Sequence, residues 1–465
     1  EPFDLARGPL FRGVLIQCPG ACSAIILTYH HIVCDGWSTA ILLEELAELY
    51  SSLAEKRPAI LVKPESYLQY LQWLQSNEYL RLKNADEDYW VDKFANGHPV
   101  LDLPADYQRP PWRTYRSLRC DRKLDRALVS ALKKTGASLR SSFVSTLLAG
   151  FVVWLHRLSG DNAFVVGMPA AGQAIESIDR LFGHCVNTLP IRCQIDPALS
   201  FAQNLQRVRD GLLETYDHQR LTFGSLVARL GLKRDPSRVP LVPILFNIDQ
   251  GIRPLQFAGA SATAVSNPRV AESFELFLNA TESQGELLLE CQYNTDLYRG
   301  ETIDGWLQSF EQLLRQIAND PQGSLQTFIC QTAQDAALWQ TVNATTAEYP
   351  RQACLHQVLS EAMRHQKSAS VHCGEQTASH ADLDQRAGRI AETLRQQGVK
   401  PGDFVGICML RSLDMLISLL GVLKAGAAYV PLDPDYPAER LNLMIKDAGL
   451  ATLVMNGGLP DGLNT

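Results

Sequence analysis

LTYHHIVCDGWS, residues 27–38, joins a β-branched apolar run to a series of leucines at helical spacing. Upstream, RGVLIQ (12–17) and SAIILTYH (23–30) flank the turn signal CPGAC and read as a hairpin. Downstream, Leu42, Leu46, Leu49 and Leu53 recur with the period of a helix, and Ser38 has the side chain of an N-cap. The stretch therefore reads as a strand, a tight loop and a helix start.

The loop carries chemistry-bearing residues. Successive side chains of a strand point to opposite faces, so His30 and His31 cannot both ligate one metal ion without distortion. The spacing is not that of a helical HExxH site either, and no metal is expected. One histidine at a strand end, beside a glycine loop and a helix start, is placed as a general base, because neutral imidazole accepts a proton near neutral pH. Asp35 would hold the loop through an ion pair or by capping backbone N–H groups. Gly36 would allow a tight turn and the close approach of a substrate. The helix aims its first N–H groups at the loop, where negative charge can develop. The competing reading is a buried histidine satisfied by hydrogen bonds, with Asp35 and Ser38 as turn and cap residues. A bare HxxxD, which recurs by chance, favours the second reading, whereas HHxxxDGWS as a whole is much more specific.

The chain has 465 residues, enough for two or three domains. Its 46% hydrophobic and 20% charged content is that of a globular protein. The formal net charge is -7 with no basic domain, so nucleic acid is not an expected partner. No apolar run reaches roughly 18 residues, so no membrane span is expected. The eleven cysteines are odd in number and form no CxxC pair. Neither zinc nor a disulfide framework is indicated, and reduced thiols in the cytoplasm fit best. The chain begins at Glu1 without methionine or a signal-peptide pattern and ends in NGGLPDGLNT, so an excised fragment is expected.

A helical region containing Trp73 and Tyr79 runs to Trp90, and the proline-rich LDLPADYQRPPWRTYRS (101–117) reads as a crossing linker. From about 118 an α/β unit follows. It has helices near 125–135, 142–157 and 302–319, and strands at NAFVVGMPA, at PLVPILFNID (240–249) and in a hairpin about SQG within 275–294. Residues 331–352 are polar and read as irregular. Beyond 353, helix and strand alternate as in a separate, incomplete α/β domain, with one helix stopped by Gly398. The expected divisions are 1–100, 101–330, 331–352 and 353–465.

HHIVCDGWS resembles the HHxxxDG signature of condensation domains of nonribosomal peptide synthetases, members of the chloramphenicol acetyltransferase-like superfamily. EPFDLARGPLFR resembles the stretch that precedes that signature. YLQYLQW (67–73) resembles the family's Tyr-x-Asp-Phe-x-x-Trp box, with Gln69 where an acid is usual. FGHCVNTLPIR (182–192) resembles the Gly-x-Phe-Val-Asn-Thr box, with Cys185 where an aromatic is common. HQRLTF (218–223) and RDPSRVPL (234–241) resemble the last two boxes, the latter with Val239 for the frequent Asn. SHADLDQRA (379–387) and LKAGAAYVPLD (423–433) resemble the first two boxes of an adenylation domain, and WQTVNATTAEYP (339–350) resembles the linker between the two domains.

The resemblance implies an α/β (α+β), two-lobed condensation fold followed by a partial α/β adenylation domain. It implies amide formation between two thioesters carried on the phosphopantetheine arms of upstream and downstream carrier proteins of one megasynthase. The fragment itself would bind no cofactor. His31 would accept or orient the amine proton, and the Gly36 N–H would face the oxyanion. His30, Asp35, Trp37 and Ser38 would be structural. Gly183, Cys185, Asn187 and Thr188 belong to a loop that faces the tunnel floor in the family, with a hydrogen-bonded turn as the equal alternative for Asn187 and Thr188. Cys185 reads as a small packing residue. Arg234, Asp235 and Arg238 would form a structural ion-pair network.

The family's early arginine box is not matched, so the partner of Asp35 is expected outside the chain. The glycine-rich phosphate loop of adenylation domains is not matched either, so no acyl adenylate is expected. Epimerisation domains and coenzyme A acyltransferases share the histidine motif, but the adenylation-like tail disfavours both. Heterocyclisation domains replace the histidines. The remaining rival is non-catalytic: a carrier-docking platform, or a fragment inactive for lack of its N-terminal lobe. GHCVNTLP, TFGSLV and LFNIDQG resemble condensation domains that follow polyketide modules, which favours an acyl donor.

Overall fold

The hairpin is formed by β1 (Phe11–Gln17) and β2 (Ser23–Tyr29), antiparallel, with Phe11 opposite Tyr29 and Gln17 opposite Ser23. The computed structural model describes residues 2–17, 23–175, 178–232, 235–250, 255–366, 368–458 and 462–463, so the CPGAC turn lies outside the described residues. The chain divides into two compact units, Glu1–Thr341 and Val342–Thr465.

In the first unit α1 (Gly36–Ala54) follows the histidine loop, and α2 (Tyr67–Leu74) and α3 (Asn77–Phe94) form the helical region. Ser38 is not the cap of α1. Asp35 is, in extended conformation, and its carboxylate accepts the Ser38 N–H. Both residues are good caps by type. Asp35 prevails because its second oxygen is tied to a distant part of the chain.

The rest of the unit is built on a six-stranded mixed sheet. β3 (Ser117–Leu124) leads to α4 (Arg126–Ser138), α5 (Phe143–Ser159), β4 (Ala163–Ala171), the single turn α6 (Gly172–Ile175) and β5 (Val186–Gln194). After α7 (Phe201–Asp217) and α8 (Phe223–Arg229) come β6 (Ile244–Gln250), the short pair β7 (Gln256–Phe257) and β8 (Ala260–Ser261), β9 (Leu276–Ser283), β10 (Glu286–Asn294) and α9 (Gly300–Asn319). The strand order is β3-β10-β9-β6-β4-β5, with β9–β6 and β6–β4 parallel and the other pairs antiparallel.

Period-two alternation fills both faces of this sheet. Phe164, Val166, Ile244, Phe246, Leu276 and Leu278 enter the large core around Phe151, Trp154 and Phe310. The intervening Val165, Leu245 and Phe277 enter a second core with Trp90, Phe94, Leu221 and Leu226. Thus α3 and α8 cover the face opposite α5. Among the described residues no single helix is long and apolar enough to cross a membrane. α4 and α5 qualify only as a pair bent by 103°, and α5 is buried within the core.

Residues 331–352 are not wholly irregular, because α10 (Ala333–Asn343) occupies half of them. All its side chains are at least partly exposed, so no apolar stripe marks it. The second unit contains α11 (Leu355–His365), the hairpin β11 (Ser370–Cys373) with β12 (Gln376–Ser379), and α12 (His380–Gln396), ended before the left-handed Gly398. β13 (Phe404–Cys408), α13 (Leu413–Ala425), β14 (Ala428–Leu432), α14 (Ala438–Asp447) and β15 (Thr452–Met455) complete it. Its parallel sheet has the order β14-β13-β15, with α12 and α13 packed together around Ala391, Val405 and Val422.

Candidate active site

Asp35 is buried at the junction between the histidine loop and the segment that enters β5. Its Oδ1 accepts the Ser38 N–H at 2.9 Å and lies 2.8 Å from Ser38 Oγ. Its Oδ2 accepts the Gln173 amide at 2.9 Å and the Cys185 backbone N–H at 3.0 Å. The expectation that its partner lies outside the chain is therefore corrected: neutral donors within the chain engage both oxygens. Burial pushes the Asp35 carboxyl up, but the bonds from Gln173, Ser38 and Cys185 together outweigh it and hold the group below the usual carboxylate range.

The same junction is closed by neighbouring contacts. Ser38 Oγ accepts the Gly183 N–H at 2.9 Å and lies 3.0 Å from the Gly183 carbonyl. Trp37 Nε1 donates to the Asp179 carbonyl at 2.9 Å, and Arg180 pairs with Glu44 and Glu45 of α1. Gly36 takes no left-handed conformation, so its backbone does not require glycine, and nothing lies within 4 Å of where its Cβ would be. The position instead leaves open space at the start of α1.

The two histidines differ in surroundings. His30 is half-buried, its ring edge-on to Phe3, and its Nδ1 accepts the Ile32 N–H at 3.2 Å. His31 is exposed, and its Nδ1 lies 3.1 Å from Nδ1 of His184. The two rings are nearly perpendicular, at 87° with centroids 5.0 Å apart. His184 is pushed below the usual histidine range by partial burial of its ring and by the charge of His31, with Asp35 acting in the opposite sense.

Gly183 lies against Tyr67, whose hydroxyl donates to the His184 carbonyl at 3.2 Å. Burial and the charge of Asp35 push the Cys185 thiol up to about 12, so it is protonated at neutral pH and is no nucleophile. Asn187 uses its whole amide. Nδ2 donates to the Gln219 and Leu221 carbonyls, and Oδ1 accepts the Thr188 and Phe223 N–H groups. Thr188 continues β5 opposite Pro169.

Arg238 contacts Asp102 at 3.1 Å, Asp235 at 3.5 Å and Glu275 at 3.9 Å, while Arg109 binds Glu275 at 2.7 Å. This network fastens the crossing segment to the approach to β9. Arg234 lies outside the described residues. Asp235 and Arg238 also line an open groove of about 760 Å³ with Trp112, Tyr115 and Leu232, none of them from the histidine loop. Among the described residues no group of three or more metal-ligating side chains occurs.

His184 and Gln173 were not singled out from the sequence. His184 lay within FGHCVNT, and its being a second imidazole was the available signal. Gln173 gave none.

A mixed α/β sheet unit whose histidine loop is fastened by a buried aspartate has the architecture of a condensation-type acyltransferase domain. The description "Condensation domain" matches residues 1–339 and "AMP-binding enzyme" matches residues 359–463. The chain belongs to the condensation-domain family of nonribosomal peptide synthetases and continues into the start of an AMP-binding domain. It is 37% identical to one of the linear gramicidin synthase proteins of Brevibacillus parabrevis over 100% of its length and 9% of that protein. It is 32% identical to one of the plipastatin synthase proteins of Bacillus subtilis (strain 168), over 98% of this chain and 12% of the relative. The chain thus spans about a tenth of these curated relatives. A solved four-domain nonribosomal peptide synthetase bound to AMP and glycine matches all of the chain and 36% of its own, with a TM-score of 0.84 and 26% identity. The condensation domain of the monacolin K polyketide synthase shares the fold, with a TM-score of 0.62 over 70% of this chain and 76% of its own at 20% identity.

Proposed function

We propose that the first unit forms an amide bond between an upstream acyl or peptidyl thioester and the amine of a downstream aminoacyl thioester, each carried on a phosphopantetheine arm of a carrier protein. The amine nitrogen bonds to the thioester carbonyl carbon, the C–S bond breaks, and the donor arm leaves as a thiol. His31 takes the amine proton or orients the amine. The first-turn N–H groups at Gly36 meet the developing oxyanion. Asp35, His30, Trp37 and Ser38 hold the loop. Cytoplasmic action beside the carriers of the same synthetase is part of the proposal. The observation that carries it is an exposed His31 on a loop whose end is fixed by the buried, multiply bonded Asp35.

The test is amide formation by the synthetase that contains this chain, with both carriers loaded. His31→Ala should lower the rate by about 10²–10⁴-fold while the protein stays folded. A folded His31→Ala variant with full activity would refute the general-base role. The same assay separates the enzyme from a carrier-docking platform, which would give no product even with wild-type protein.

Residues 353–465 are proposed to make no acyl adenylate by themselves, because no glycine-rich Ser/Thr loop there cradles ATP phosphates. Exchange of pyrophosphate into ATP by this 465-residue chain should stay at background with every amino acid. Exchange with any one of them would overturn that reading.

A further inference from the structure

We propose that His184 is a positioning residue for amide formation: it accepts the Nδ1 proton of His31 and so holds His31 in the tautomer whose Nε2 carries a free lone pair. The inference rests on the reading of His31 as the working histidine.

Between two Nδ1 atoms 3.1 Å apart there is room for one proton. If His184 donated it, His31 would carry its own proton on Nε2 and could not take one from an amine. If His31 donates it, Nε2 is an acceptor. Only the second arrangement also survives the reaction. A His31 that has gained a proton at Nε2 still carries Nδ1–H, and His184 must then present a lone pair. His184 suits that part because burial and the charge of His31 both disfavour its own protonation. It thus occupies the place that a carboxylate or carbonyl takes beside other working histidines.

The pairing is built in rather than a chance encounter of two surface rings. The backbone on either side of His184 is fastened to the loop that carries His31. Gly183 N–H donates to Ser38 Oγ and Cys185 N–H donates to Asp35. The His184 carbonyl accepts the Tyr67 hydroxyl. Among the described residues, the titratable groups beside the pair include Asp35 on the loop, Cys185 next to His184 and Tyr67 on α2. Asp35 is below its usual range, and burial pushes Cys34, Cys185 and Tyr67 up.

The experiment compares His184→Phe, which removes the acceptor, with His184→Asn, whose Oδ1 can stand in for Nδ1. Single-turnover amide formation is followed against pH in the loaded synthetase. His184→Phe should lower the rate roughly 10-fold or more. It should also move the acid limb to lower pH, because the His31 imidazolium loses its acceptor. His184→Asn should stay within about 3-fold of wild type, with its limb in place. In parallel, nitrogen-15 spectra of the histidine-labelled wild-type chain, above the acid limb, should show His31 protonated on Nδ1 and bare on Nε2. That readout decides the matter even where a variant fails to fold. A His31 protonated on Nε2 overturns the proposal, as does a folded His184→Phe variant with wild-type rate and limb. Full activity in His31→Ala would instead sink the functional reading itself, whatever His184→Phe does.

Discussion

Cys185 donates its backbone N–H to Asp35 Oδ2 at 3.0 Å, across 150 residues of sequence. Through that bond the cap of α1 becomes the clamp between the histidine loop and the strand that follows His184. Asp35 serves α1 with one oxygen and the rest of the unit with the other, so its carboxylate is needed in full.

Asp35→Asn tests this. An amide has one acceptor oxygen. Turned to serve Gln173 and Cys185, it sets its NH₂ against the Ser38 N–H, and the cap is lost. Ser38 Oγ can rotate to donate to the Gly183 carbonyl, so the loss is confined to one buried N–H and the charge-assisted character of the others. Stability should fall by about 2–3 kcal/mol in denaturant titration. An unchanged midpoint would mean that the junction tolerates an unpaired donor.

The pH dependence has a definite sign. The Asp35 carboxyl is held below its unfolded value, because its hydrogen bonds outweigh its burial. Its contribution to stability is therefore complete above about pH 4 and disappears as the pH falls through the lower, folded-state value. Unfolding midpoints of wild type and Asp35→Asn should converge on acidification below about pH 4. A gap that stays constant into that range would show that Asp35 does not carry the acid sensitivity.

Several strands and helices were legible because their periods are local, whereas β5 and α7 were not predicted. The runs at 12–17, 23–30 and 275–294 alternate or cluster as strands do, and SQG marks its own turn. The choice of cap was not legible, since Asp35 and Ser38 both have capping side chains and only the remote Gln173 and Cys185 decide between them. α10 was missed because AQDAALWQTVN buries no side chain and so shows no stripe. The loop motif contains His31, but its neighbour His184 is brought to it by the tertiary fold, 153 residues away.

Gly183 and Tyr67 should be energetically coupled. A Cβ on Gly183 would fall 2.6 Å from Tyr67 Cδ2 and closer still to Cε2. Gly183→Ala must displace the ring and weaken its bond to the His184 carbonyl, at a cost of about 1–3 kcal/mol. In a Tyr67→Ala background the obstruction is gone. The double-mutant cycle should then give a coupling of about 1 kcal/mol or more. Additive effects would mean that the loop moves away without strain.

Asn187 distinguishes a turn from a tunnel wall. Its Nδ2 donates to the Gln219 and Leu221 carbonyls at 3.1 and 2.9 Å, and its Oδ1 accepts the Thr188 and Phe223 N–H groups at 2.9 and 3.0 Å. The amide thereby fastens the start of β5 to the segment that opens α8, whose Leu226 lies in the core with Trp90. Asn187→Ala removes all four of these bonds and should cost about 2–4 kcal/mol, with water restoring part of the loss. Asn187→Asp keeps the acceptor but turns a charged oxygen towards two carbonyls, so it should be at least as damaging although it is nearly isosteric. If the role is to hold the turn, both variants should lose stability first, and amide formation measured well below their midpoints should stay within about 3-fold of wild type. A stable Asn187→Ala protein with a rate lowered by 10-fold or more would instead assign the side chain to the substrate path.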